Sequence, residues 1–371
     1  MNAQSILVST RKGLFLAEPA GASYKVARGF FVGDNVSMAM ADPRAGGSWY
    51  AALDHGHFGV KLHRSDDRGA TWNEITAPAY PPQPEGQVEK TMWGKERKWT
   101  TLLIWAMAPA PDKEGALWVG TVPGGLFRSD DKGQTWRINE ALWFHPDRPK
   151  WNGVVKEEAG IHSICVDPRD PKIVSVGVST GGVWRTKDGG ATWTQSAHGM
   201  RAEYVPPELV NDGANQDVHC LVQCAADPKT YWVQHHNGIF RTTDDMATWT
   251  EHSEAARPAR FGFPVVCDPA DPNTAWFVPA QKDEKRIPVE GKVVVSRTRD
   301  GGKTFEVLSK GLPDMFAYDL TYRHAFALST DGALAFGSTT GNVFASKDRG
   351  DSWSVVSNYL PPVHAVTFCD A

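Results

Sequence analysis

The sequence predicts an all-β fold: a seven-bladed β-propeller of four-stranded antiparallel blades, closed by the C-terminal strand joining the N-terminal blade. Three observations predict it. An eight-residue acidic turn recurs along the chain, short apolar runs flank every copy, and each end of the chain holds an incomplete repeat.

The turn is first written SDDRGATW at 65–72 and returns as SDDKGQTW from Ser129, TKDGGATW from Thr186 and TTDDMATW from Thr242. TRDGGKTF from Thr298 and SKDRGDSW from Ser346 follow. Their third-position aspartates are Asp67, Asp131, Asp188, Asp244, Asp300 and Asp348, spaced by 48 to 64 residues. A period of this size marks stacked supersecondary units. Each copy sits between apolar runs, such as GGLFR before and NEIT after, and reads as a hairpin turn. The Asp carboxylate accepts from backbone N–H groups of such a turn, and glycine takes the positive φ it needs. The closing Trp or Phe is placed to pack back into the repeat. These six aspartates are therefore structural.

A second pair of apolar runs precedes each box around an Asp-Pro or Asp-Gly turn, as in IHSICVDPRDPKIVSVGV, giving four strands per repeat. LFLAEPAGASY at 14–24 aligns with LFRSDDKGQTW at 126–136, with Pro19 replacing the aspartate. This degenerate seventh copy lacks a first strand, and the C-terminal VHAVTFCDA supplies one without followers. The blades then occupy 1–33 with 363–371, 34–80, 103–140, 160–197, 217–254, 262–310 and 316–360 of a single domain over 1–371. Closure of this kind removes free sheet edges.

The boxes resemble the Asp-box, or bacterial neuraminidase repeat, of sialidases, sortilins, xyloglucan-cleaving glycosidases and photosystem II assembly factors. The resemblance covers essentially the whole chain and implies the propeller. Its members include both enzymes and binding scaffolds, so it leaves function open. Sialidases imply an Arg-Ile-Pro motif near the first blade. Here Arg286-Ile287-Pro288 falls in the sixth, so classical sialidase activity is not expected.

A net charge of −4 gives no electrostatic drive toward nucleic acid or an anionic membrane, and neither is expected as a partner. Five cysteines without paired spacing do not form a disulfide framework, and a reducing cytoplasm is the expected compartment. A small-molecule ligand is favoured over a protein partner.

Function is expected on the face opposite the boxes, which carries the 2–3 loops and blade connections. The connections at 77–102, before Ile161 and before Asp217 concentrate Trp93, Trp99, Trp143, Trp151 and Tyr204 beside Arg97, Arg201 and many carboxylates. Aromatics among charges suit a binding cleft, the alternative being lids over the blade tops. Carboxylates on this face include Asp54, Glu158, Glu203, Asp217 and Asp283, too many to single out a glycosidase pair. Aligned first strands read VSMAM, IWAMA, IHSIC, VHCLV, FPVVC, YDLTY and VHAVT. Their second positions bring Ser37, Trp105, His162, His219, Pro264, Tyr318 or Asp319, and His364 to the channel mouth.

His162 and His219 are the candidate general bases. With His364 they are also candidate ligands of a divalent metal, since neutral imidazoles would leave an open position for water or substrate. Trp105 and Tyr318 are candidate stacking residues, Arg97 and Arg201 candidate anion holders, and His57 and His236 supporting groups. The leading expectation is a hydrolase or lyase acting on a small polar molecule, including sugar derivatives. The alternative is a non-catalytic protein-binding or assembly scaffold.

Overall fold

Alternating apolar runs must bury one or both faces, and here they do so as seven four-stranded antiparallel sheets ranged around a channel. The computed structural model describes residues 4–44, 46–91, 93–153, 155–258 and 260–370. The first three and the last residues of the blade assigned to 1–33 and 363–371 lie outside the described residues.

Blade 1 orders Val363–Cys369, Ser5–Thr10, Gly13–Ala20 and Ser23–Phe30 from the channel outward. Ser5 pairs with Cys369 and Val8 with Val366, so the two ends of the chain share one sheet. Val36–Ala41, Leu103–Pro109, Ile161–Val166, Val218–Gln223, Phe261–Cys267 and Phe326–Leu328 are the inner strands of blades 2 to 7. Each inner strand packs against the next, and Val363–Cys369 closes the ring against Val36–Ala41 and Phe326–Leu328. Apolar side chains fill the seams between blades, as where Trp118, Leu126, Ile161, Val176 and Trp184 form one cluster.

The box turns behave as the sequence reading expects. Asp131 Oδ1 accepts from the Ser129 hydroxyl at 2.8 Å and the Thr135 N–H at 2.9 Å, while Oδ2 accepts from the Thr135 hydroxyl at 2.6 Å. The same pattern holds Asp67, Asp188, Asp300 and Asp348. Asp244 accepts from the Thr242 hydroxyl and the Thr248 N–H. The closing tryptophans do more than pack into their own repeats. Trp136 Nε1 donates to the Thr76 carbonyl of the preceding blade at 2.8 Å, and Trp193 Nε1 donates to Asn139 Oδ1 at 2.9 Å. In the other direction, Arg64 donates to the Lys132 carbonyl and Arg241 to the Gly301 carbonyl in the box of the following blade. The boxes join blades as well as closing hairpins.

One strand assignment needs correction. The seventh inner strand is Phe326–Leu328, with His324 bridged to Ala365 just before it, whereas 318–322 forms no strand. Tyr-Asp-Leu-Thr-Tyr alternates like a strand, but its neighbours on the ring pair with the run that starts at His324.

Candidate functional site at the channel mouth

Six of the seven inner strands share a local irregularity. Their ladders to the second strands slip between Val36 and Met38, Ile104 and Ala106, Ile161 and Ser163, Val218 and Cys220, and Gly262 and Val265. In blade 1 the slip falls opposite Ser9 and Thr10, between Ala365 and Val363. The residues left out of pairing are Ser37, Trp105, His162, His219, Phe263 with Pro264, and His364. A bulge frees one residue from the ladder and re-aims its side chain. Bulges therefore produce the ring of second-position residues at the channel mouth.

A cavity of about 820 Å³ opens there, bounded by the starts of the inner strands, the 2–3 loops and the blade connections. Asp217 and His219 come from the start of the fifth inner strand, and His236 follows the second strand of that blade, Tyr231–His235. Trp105, Phe263, Arg323, His324 and His364 line the same space.

Asp217 is the hub. Its Oδ2 lies 3.4 Å from His219 Nε2 and 3.3 Å from His236 Nδ1. The three are the one group of His, Cys, Asp or Glu side chains among the described residues whose ligand atoms all lie within 4.8 Å of one another. Backbone holds the hub in place. The Asp217 N–H donates to the Tyr204 hydroxyl at 2.8 Å, that hydroxyl donates to the Asn215 carbonyl, and the Asp217 carbonyl accepts from the His236 N–H. Burial would raise the Asp217 pKa, but His219, His236 and Arg323 outweigh it and hold the group well below the usual carboxylate range.

The two imidazoles differ. Burial lowers His219, against the pull of Asp217 and with the push of Arg323. His219 Nδ1 is 2.7 Å from the Gly262 carbonyl, which can only accept, so this bond assigns the ring proton to Nδ1. Nε2 then faces the Asp217 carboxylate at 3.4 Å. Phe263 stacks on the ring at 4.6 Å and 17°. Burial also pulls on His236, but its bond to Asp217 and the charges of Asp217 and Asp283 leave it raised.

Arg323 projects between two rings, with its guanidinium carbon 5.1 Å from the Trp105 centroid and 5.3 Å from that of Phe263. Its Nε is buried without a hydrogen-bond partner.

Among the residues expected at the site, His219, His236, Trp105 and His364 line the cavity. His162 does not. It lies buried behind Trp105, edge-on at 5.4 Å, with Nδ1 bound to the Ser163 hydroxyl at 2.9 Å. No three-residue metal-binding group among the described residues contains His162 or His364. Arg97 is buried in ion pairs with Glu158 at 2.8 Å and Glu89 at 3.4 Å. Arg201 is taken by Glu251 and Glu203. His57 is exposed in the turn Gly56–Phe58, and Tyr318, 62% exposed, lies outside the cavity lining. The tryptophan-rich connections are mostly lids: Trp99, Trp143 and Trp151 are buried, and Tyr204 is the aromatic of that set that reaches the cavity.

Sequence reading missed Arg323, Phe263 and His324. The signal for His324 is present, because HAFAL repeats the His-then-apolar pattern of VHAVT and IHSIC. Phe263 is displaced by the wider slip around Pro264, and nothing in the sequence marks Arg323.

No protein-family model matches the chain. A curated relative, a probable oligoxyloglucan-reducing end-specific xyloglucanase of Neosartorya fischeri, is 27% identical over 273 residues. The match covers 66% of this chain and 30% of that protein, so the chain spans less than a third of that relative's length. Among solved structures, a GH74 enzyme of Niastella koreensis aligns with TM-score 0.56 at 14% identity, covering 100% of this chain and 68% of its own. YCF48 bound to D1 peptide aligns with TM-score 0.50 at 14% identity, covering 86% and 84%. At such identities the structural likeness establishes the β-propeller alone.

Proposed function

We propose that this propeller is a metal-assisted hydrolase whose site is the channel-mouth cavity, acting on a small polar substrate such as a sugar derivative. The observation that carries the reading is the meeting of His219 Nε2 with Asp217 Oδ2. With Nδ1–H on the Gly262 carbonyl, Nε2 and the carboxylate face one shared position that takes a proton or a metal ion. Burial disfavours a proton on His219, whereas a divalent transition metal satisfies Asp217, His219 and His236 together. Ligands about 2.1 Å from a tetrahedral ion stand about 3.4 Å apart, close to the separation of Asp217 Oδ2 from each imidazole nitrogen. The Gly262 carbonyl on Nδ1 is the second-layer bond that orients a metal-bound histidine.

A divalent ion held by Asp217, His219 and His236 would supply Lewis-acid activation of water at this site. His324 and Trp105 would bound the substrate side of that water, and the cavity size suits a small ligand. The similarity to a xyloglucanase supports hydrolysis and a sugar-like substrate. The repeated Asp turns support placing the chain among Asp-box propellers, and five free thiols support a reducing compartment.

Metal content after purification and after reloading with zinc, manganese or nickel tests the site. Wild type should hold one equivalent, His219→Ala and His236→Ala should lose it, and loaded wild type should hydrolyse members of an aryl glycoside and ester panel. Equal metal content in wild type and both variants overturns the reading.

A second reading, a protein-binding scaffold, is favoured by one surface feature. Met315, Phe316 and Tyr318 are 63%, 82% and 62% exposed within one short segment. The comparable neighbour is YCF48, solved with a D1 peptide. A stoichiometric partner captured by wild type and lost in Phe316→Asp would favour this reading.

A further inference from the structure

We infer that Arg323 forms an oxyanion-binding subsite in the cavity, so that the small ligand carries a carboxylate or phosphate group. Every other charged side chain of the lining has an opposite partner. Asp54 meets Lys156 at 2.8 Å, Asp283 meets Arg286 at 2.5 Å, Glu284 meets Lys282 at 3.4 Å, and Asp217 is shared by two histidines. Arg323 makes no ion pair within 4.0 Å and no hydrogen bond among the described residues. It remains cationic at neutral pH because guanidinium is not deprotonated in proteins.

The packing explains what the group is poised to do. The guanidinium carbon lies over the Trp105 ring at 5.1 Å and the Phe263 ring at 5.3 Å, and these two contacts restrict the long side chain. The guanidinium belongs to a residue that lines the cavity, and its donors have no acceptor among the described residues. A planar, preoriented fork of donors matches two oxygens of a carboxylate or phosphate. Leaving a half-buried cation without an acceptor is costly, and a ligand oxyanion removes that cost.

The subsite rests on the cavity being a small-ligand site, as the proposed function has it, but not on the metal. An anion held by Arg323 would also offset the positive charge that the guanidinium places near the Asp217 cluster.

The test is calorimetric titration of chelator-treated, desalted protein with D-glucuronate, D-glucose 6-phosphate and D-glucose. At least one of the two anionic sugars should bind at least about tenfold more tightly than glucose, as expected for charge-assisted hydrogen bonds. Tighter glucuronate identifies a carboxylate ligand, and tighter glucose 6-phosphate identifies a phosphate ligand. Arg323→Gln should abolish the preference. Arg323→Lys keeps a cation between the rings while losing the fork, and should bind the anion more weakly than wild type with the fold intact. Equal binding of all three sugars, failure of both anions to bind, or an unchanged preference in a folded Arg323 variant overturns the subsite. Because the titrations use metal-free protein, failure of the metal site leaves their outcome unaffected.

Discussion

His219 donates its Nδ1–H to the Gly262 carbonyl at 2.7 Å, which turns Nε2 toward Asp217 Oδ2. The inner-strand bulges at 218–220 and 262–265 bring these groups together from neighbouring blades. Nε2 and Oδ2 stand 3.4 Å apart and share a position for a proton or a metal ion.

Asp217→Asn separates metal binding from fold. An amide can donate to His219 Nε2 where a carboxylate cannot. The variant should therefore melt no lower than chelated wild type. Wild type should gain about 2.7 kcal/mol with free metal at a hundred times its dissociation constant. Asp217→Asn should gain almost nothing, as thermal denaturation with and without zinc would record.

His162→Ala should have the opposite character. His162 is buried away from the cavity, and its loss opens space behind Trp105. Stability should fall by about 1–3 kcal/mol in urea titration. Metal content should match wild type; a metal-free His162 variant would return this residue to the site.

Asp131→Ala removes an acceptor of three hydrogen bonds in one box. The expected loss is about 1–3 kcal/mol by chemical denaturation, with cavity binding intact below the melting transition. Trp136→Phe should weaken the same seam through loss of the Thr76 bond alone, and less severely.

Acid should destabilise the fold in two windows. Burial lowers His324 to about 4, with its Nε2 2.6 Å from the His162 carbonyl. A histidine depressed in the folded state is protonated first in the unfolded chain, so stability falls with pH from about 6.5 down to the folded value. Hydrogen bonds hold Asp67 and Asp300 at about 2. Their contribution is complete above the unfolded value of about 4 and is lost as pH drops toward 2. Urea midpoints measured from pH 7 to pH 2 should show both declines, and His324→Gln should shrink the upper one.

The repeats made the architecture legible because a propeller is built from local hairpins. SDDRGATW and its copies carry their own turn chemistry, and the alignment of 14–24 with 126–136 was enough to count the seventh blade although Pro19 replaces the aspartate. The second-position alignment also located the mouth, since Trp105, His219 and His364 all fall on bulges that line it. It failed where alternation misled: Tyr318–Tyr322 reads as a strand, yet His324 begins the ladder.

By itself, the sequence determined the fold, its closure and the structural role of the box aspartates, all of which depend on contacts within one repeat or between its ends. Only the tertiary structure decided the site. Whether an arginine is spent in a lid, as Arg97 is, or left facing a cavity, as Arg323 is, depends on side chains tens to hundreds of residues away along the chain. Which imidazole meets Asp217 depends on bulges and loops that set its direction to within an ångström, and no residue pattern encodes that distance.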